Sequence, residues 1–238
     1  MNKIKEIAKM IDHSILQPAL TDGEMKKQCL MAKKYDVASV CIKPYAVKLA
    51  VELLKDTDVK VGCVIGFPHG NSSSAVKVFE TEQACRDGAV EIDMVINIGK
   101  AIGGDWDYVE REIKEITDVC HRHHAIVKVI FETDYVVHTQ DKIKLCEICT
   151  RAGADFVKTS TGYGFVKQPG GNYNYKGATL SDVELMRKHS GPEVQVKSAG
   201  GVRTLDDLLK MKAAGATRCG ASATEAIMEE ANRRFGDK

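Results

Sequence analysis

Short apolar runs alternate with stretches of helical spacing along the whole chain, and this alternation limits the fold more than any other feature. The runs are Met10–His13, Ala38–Ile42, Lys60–Gly66, Glu91–Ile96, Ala125–Phe131, Asp155–Ser160, Val194–Ser198 and Thr217–Gly220. Runs of this length, mostly rich in β-branched residues, read as buried strands. Between them, Asp22–Tyr35 puts Met25, Cys29 and Ala32 on one helical face, and Tyr108–His121 does the same with Val109, Ile113, Ile116 and Cys120. Leu180–His189 and Leu205–Ala214 follow the same spacing. Thr21 with Glu24, and Thr204 with Asp207, have the spacing of capping boxes. Gly88, Gly153 and Gly215 each precede a strand, where a helix ends most cheaply on a glycine.

A strand that returns by a helix to another strand builds a parallel sheet. Eight such units in 238 residues fit a closed α/β fold, a (β/α)8 or TIM barrel, as a single domain spanning 1–238. The alternative is an open doubly wound sheet, but no G-x-G-x-x-G follows the first strand. One stretch is irregular: Tyr163–Lys176, rich in Gly, Asn, Tyr and Lys, is long for the loop between a strand and a helix.

Charge narrows the function classes. With 34 basic against 33 acidic residues the formal net charge is +1, so no basic stripe argues for nucleic acid. No apolar run approaches the ~20 residues of a membrane helix. The opening Met1-Asn2-Lys3-Ile4-Lys5-Glu6-Ile7 is too broken by charge for a signal peptide. The eight cysteines are scattered, and Cys146 and Cys149, though spaced C-x-x-C, sit one helical turn apart with no second pair to complete a zinc site. Reduced, buried thiols and a cytoplasmic location are expected.

Catalytic groups of such barrels sit at the C-terminal ends of the strands. There the sixth strand ends on Lys158, and Lys197 lies near the end of the seventh. Period-two alternation turns Val194 and Val196 toward the helices and Lys197 into the barrel mouth. By the same rule Asp93 points inward between Ile92 and Met94, and Lys128 between Val127 and Val129. Inward charges are costly unless paired or functional. Two neighbouring ammonium groups repel, so one of the two lysines is expected as a neutral amine. An unperturbed lysine is neutral in only about one molecule in 2500 at pH 7, whereas a pKa of ~7–8 gives the nucleophile that Schiff-base chemistry needs. Ser198–Thr204 and Gly220–Thr224, after strands seven and eight, occupy the common phosphate site of these barrels. His121, His123 and His124 cluster at a helix end before strand five, on the face opposite the active one, which disfavours metal-dependent aldol chemistry.

The chain resembles the deoxyribose-phosphate aldolase family over nearly its whole length. The likeness rests on Ile11-Asp12-His13, Ser39–Ile42, Gly66–Gly70, Glu91–Asp93, Lys128–Thr133, Asp155–Gly162, Ala199–Thr204 and Gly220-Ala221-Ser222. It implies a class I aldolase with no cofactor and no metal that reversibly cleaves 2-deoxy-D-ribose 5-phosphate to acetaldehyde and glyceraldehyde 3-phosphate. By that likeness Lys158 forms the imine, Lys197 lowers its pKa and Asp93 relays protons through water. Gly162, Gly200, Gly201, Arg203 and Ser222 fall where the family holds the phosphate, and Asp12, Cys41, Thr161 and Gly220 join them as expected substrate residues. The expected partners are a phosphorylated sugar and an aldehyde, with a homodimer as the assembly considered. Three departures stand out: the longer Tyr163–Lys176 segment, Ala223 where many relatives carry a second serine, and a tail, Phe235-Gly236-Asp237-Lys238, without the tyrosine some relatives use. A Schiff-base lyase of another sugar phosphate and a non-catalytic sugar-phosphate-binding barrel are the alternatives.

Overall fold

The computed structural model describes residues 2–236, so Asp237 and Lys238, the end of the tail without a tyrosine, lie outside it. Eight parallel strands close on themselves: β1 (Ile11–Ile15), β2 (Ser39–Ile42), β3 (Lys60–Ile65), β4 (Glu91–Val95), β5 (Ile126–Ile130), β6 (Phe156–Lys158), β7 (Gln195–Ala199) and β8 (Arg218–Ala221). The ring shuts where Ile11 of β1 pairs with Cys219 of β8. The expected (β/α)8 barrel is therefore the observed one.

Among the described residues ten α-helices accompany the strands: α1 (Lys3–Ala8), α2 (Asp22–Lys34), α3 (Val47–Leu54), α4 (Ser74–Arg86), α5 (Ile98–Ile102), α6 (Trp106–Arg122), α7 (Thr139–Ala152), α8 (Leu180–His189), α9 (Leu205–Ala213) and α10 (Thr224–Phe235). Both capping boxes form. The Thr21 hydroxyl accepts from the Glu24 N–H (3.3 Å) while a Glu24 oxygen accepts from the Thr21 N–H (2.8 Å). Thr204 and Asp207 exchange the same pair at 3.1 and 3.0 Å. Each satisfies two donors that a helix start otherwise leaves orphaned. Sequence spacing gave no sign of α1, which is a single capped stretch too short to show a period and packs against α10.

Strand limits differ from expectation by one or two residues, each for a local reason. β1 runs on to Ile15 because Ser14 and Ile15 pair with Cys41 and Ile42. β6 stops at Lys158 rather than Ser160. Beyond it the Thr159 hydroxyl bonds both the carbonyl (3.1 Å) and the N–H (3.0 Å) of Ala199, replacing the regular ladder.

The two faces of the sheet differ in chemistry. Ile92, Met94, Val127, Val129, Val194 and Val196 lie in the apolar layer between strands and helices. The alternate positions fill the barrel in layers, as the period of two requires. Ser39, Glu91, Phe156 and Arg218 form the floor. Asp12, Gly62, Lys128 and Lys197 come next, and Cys41, Asp93, Lys158 and Gly220 above them. This interior is polar, with the side chains of Asp12, Asp93, Lys128, Lys158 and Lys197 all nearly inaccessible.

Candidate active site

Asp93 stands at the centre of the charged layers. Its Oδ2 accepts from Lys158 Nζ at 2.7 Å and from Lys197 Nζ at 2.7 Å, and its Oδ1 from Lys128 Nζ at 2.9 Å. Asp12 forms an ion pair with Lys197 through Oδ2 (2.6 Å) and accepts from Arg218 Nε through Oδ1 (2.7 Å). Lys128 also donates to Glu91 at 2.6 Å. Lys158 thus has one carboxylate, shared with two other lysines, whereas Lys197 has two and Lys128 three within 4 Å.

That inequality sets the three amines apart electrostatically. Burial opposes the charge of all three lysines. For Lys128 and Lys197, Asp12 and Asp93 outweigh burial and hold both above the ordinary lysine range, with Glu91 adding to the hold on Lys128. For Lys158 burial outweighs Asp93, and the Lys197 ammonium adds to it, so its pKa falls below that range. Of the two neighbouring amines Lys158 is thus the one more readily freed of its proton, and burial rather than repulsion by Lys197 is the larger cause. Asp93 is itself buried, which opposes its charge, yet its three lysine neighbours hold its carboxyl far below the usual range. Cys41 close by is pushed up to about 11, first by burial and then by Asp93, so it stays a thiol.

Lys158 and Lys197 open onto a cavity of about 520 Å³ at the C-terminal face. Asp12, Cys41, Thr161, Gly162, Gly200, Gly201, Arg203, Gly220 and Ser222, all expected to meet substrate, line this one cavity; Asp93 is buried beneath it. Gly200 and Gly201 take left-handed φ of 86° and 90°, which leaves the backbone of the loop after β7 bare toward the cavity. Arg203 pairs with no carboxylate among the described residues, and α10 begins at Ala223 with no side-chain cap. A guanidinium, a glycine turn and an uncapped helix start together suit an anion. Two of the expected residues have further structural duties. Asp12 is occupied by cations through both oxygens. A Cβ on Gly220 would sit 3.1 Å from that of Ala199 and 3.6 Å from Lys197 Cε, so its glycine also makes room for the lysine.

The Tyr163–Lys176 stretch is not an irregular loop. Val166–Lys167 pairs antiparallel with Tyr173–Asn174 as a small hairpin. It is pinned to the segment after β5, where Asp134 accepts from the Gly177 N–H (3.0 Å) and the Tyr135 hydroxyl donates to Phe165 O (2.9 Å). Tyr163, Phe165 and Tyr175 then face the cavity, while Lys167 and Lys176 are not part of its wall. Beneath the hairpin lies Glu132, which spacing did not single out. It is buried in the left-handed region (φ 57°) and accepts from the Thr161 N–H (3.3 Å) and hydroxyl. Burial pushes its carboxyl up to about 7, against the hydrogen bonds from Thr161.

Groups set aside on sequence grounds are also located. Cys146 and Cys149 are buried free thiols on α7. His121 and His123 each meet a carboxylate at 3.0 Å, Asp155 and Glu82 respectively.

The chain is similar to known aldolases over nearly its full length. A family model described as DeoC/LacD family aldolase matches residues 6–229. A deoxyribose-phosphate aldolase of Rhodopirellula baltica is 48% identical over 231 residues, covering 97% of this chain and 91% of that protein. One of Thermococcus gammatolerans is 51% identical over 228 residues, covering 95% and 96%. The solved structure of deoxyribose phosphate aldolase from Aeropyrum pernix, described as tetrameric, aligns with a TM-score of 0.85 at 28% identity over 96% of this chain and 92% of that one. With a buried lysine opening onto the mouth of a (β/α)8 barrel and this likeness over nearly its full length, the chain belongs to the DeoC/LacD family of aldolases.

Proposed function

We propose that this aldolase reversibly cleaves 2-deoxy-D-ribose 5-phosphate into acetaldehyde and D-glyceraldehyde 3-phosphate through an imine on Lys158, as a single barrel domain over 1–238. The observation that carries the reading is the contrast between Lys158, which burial leaves ready to lose its proton, and Lys197, which two carboxylates keep charged.

The neutral Nζ of Lys158 adds to the C1 aldehyde to give a carbinolamine, and its hydroxyl, protonated from solvent by way of the neighbouring acid groups, leaves as water to give the protonated imine. That cation accepts the electron pair of the C2–C3 bond as the C3 hydroxyl loses its proton, releasing the three-carbon aldehyde and leaving an enamine on Lys158. Protonation at C2 and hydrolysis then free acetaldehyde. Proton movements fall to Asp93 and Lys197, whose Oδ2 and Nζ are 2.7 Å apart beside Lys158, with water as the carrier to C2 and C3. The phosphate end lies against Gly200, Gly201, Arg203 and Ser222, with Gly162 packed beside Gly200 and Thr161 next to it in the lining. Backbone N–H groups and a guanidinium there hold the dianion and fix the C2–C3 bond over the amine.

Acetaldehyde with borohydride, followed by peptide mass mapping, tests the assignment. An ethyl group on Lys158, and its loss together with turnover in Lys158→Ala, is the expected result; label on Lys197 or Lys128 overturns it. A cytoplasmic homodimer completes the proposal. Among the described residues no helix is long and apolar enough to cross a membrane, and light scattering reads the assembly.

A further inference from the structure

The charged interior extends well below the residues that meet substrate. Arg218 and Glu91 occupy the floor, where Arg218 donates to both Glu91 and Asp12 and Glu91 accepts from Lys128. Every link up to Lys158 is an ion pair within 4 Å, from Arg218 and Glu91 through Asp12, Lys128 and Lys197 to Asp93. The linked set holds four cationic side chains (Lys128, Lys158, Lys197, Arg218) against three carboxylates (Asp12, Glu91, Asp93). A closed cluster this deeply buried is most stable near neutrality. It is neutral when one lysine is uncharged, and Lys158, with the fewest carboxylates, is the one that yields.

We propose that Glu91 and Arg218, which touch no substrate, are positioning residues that set the charge on Lys158 by fixing the balance of the buried cluster. The inference rests on Lys158 as the imine former. It also bears on the reaction: the protonated imine restores the excess positive charge and the enamine removes it, so the cluster favours passage from one to the other. The groups facing Lys158 itself are Asp93 on β4, Lys197 on β7, Cys41 on β2 and, more distantly, Glu132 after β5. None of these is altered by changing the floor.

The test follows the pH dependence of borohydride trapping with acetaldehyde, read at Lys158 by mass mapping. Arg218→Met removes a cation, so Lys158 keeps its proton and the midpoint rises by about one pH unit, roughly a tenfold loss of neutral amine at pH 7. Glu91→Gln removes an anion with little change of shape, and the midpoint falls by about as much. The double variant restores the balance and brings the midpoint back toward the wild-type value, and Arg218→Lys, which keeps the charge, leaves it in place. Should Arg218→Met fail to fold, Glu91→Gln decides alone. A downward shift supports the inference, and an unmoved or upward midpoint overturns it, as do two single variants that shift the same way. Label on a lysine other than Lys158 in the wild-type protein instead overturns the imine assignment on which the inference stands.

Discussion

At the scale of single residues, Lys158 differs from Lys197 and Lys128 less in burial than in the number of carboxylates within reach. Lys197→Leu therefore has a defined consequence. It takes away the ammonium that helps to discharge Lys158 and returns to Lys158 part of Asp93's field, so the acid limb of the rate profile moves to higher pH and turnover at neutral pH falls. An unmoved limb, read from kcat/KM against pH, contradicts this. Glu132 gives a second test, through stability. Its folded pKa is raised from 4.5 to about 7, so between those values the folded protein holds a proton that the unfolded chain has lost. Stability is then full at acid pH and declines as pH rises from about 4.5 to about 7, by about 3 kcal/mol. Glu132→Gln keeps an acceptor for Thr161 and removes the ionisation. Across that window the wild-type melting temperature should lose ground to that of the variant as pH rises, since buried His13, its pKa lowered, acts alike in both.

Among the elements, the hairpin after β6 is the main departure from expectation. Glycines at 164, 170, 171 and 177 would lend this stretch freedom, yet Gly177 is a fixed contact. With φ at +73°, a Cβ there would lie 2.5 Å from the carbonyl oxygen of Gly200. Gly177→Ala must push Gly200 out of its turn. The expected result is a KM for phosphorylated substrate raised about tenfold, as backbone strain of 1–3 kcal/mol implies, with trapping of acetaldehyde on Lys158 unchanged. Replacing Phe165–Lys176 by a Gly-Gly link removes two of the three aromatic side chains at the cavity wall. Preference for the phosphorylated over the unphosphorylated sugar should weaken while imine formation survives. A shortened enzyme with full preference shows that the hairpin does not shape the phosphate end.

Across the whole molecule, charge buried for stability is separate from charge buried for chemistry. Lys77 on α4 and Glu112 on α6 form a fully inaccessible pair at 2.9 Å, with Lys77 also donating to Val95 O (2.8 Å) and Glu112 accepting from the Asn97 N–H (2.9 Å). Lys77→Met strands a buried carboxylate, which costs about 3–5 kcal/mol and lowers the melting temperature by roughly 10 °C. The protein that remains folded should trap acetaldehyde on Lys158 as before. The sequence by itself determined the barrel, because strands with an apolar face against the helices and a polar face toward the interior must alternate, and their period is visible in Val194-Gln195-Val196-Lys197 and Ile92-Asp93-Met94. It also determined that lysines and a carboxylate turn inward, and its glycine runs marked the loops after β7 and β8 that line the cavity. It carried no sign of α1, too short for a period, nor of the hairpin, whose strands hold two residues each. Closure of the barrel alone decided which charges meet. Asp12, Glu91, Asp93, Lys128, Lys158, Lys197 and Arg218 come from six strands and become one cluster only when β8 pairs with β1. The proton affinity of Lys158 belongs to that cluster, since Coulomb interactions depend on distances that the chain order does not contain.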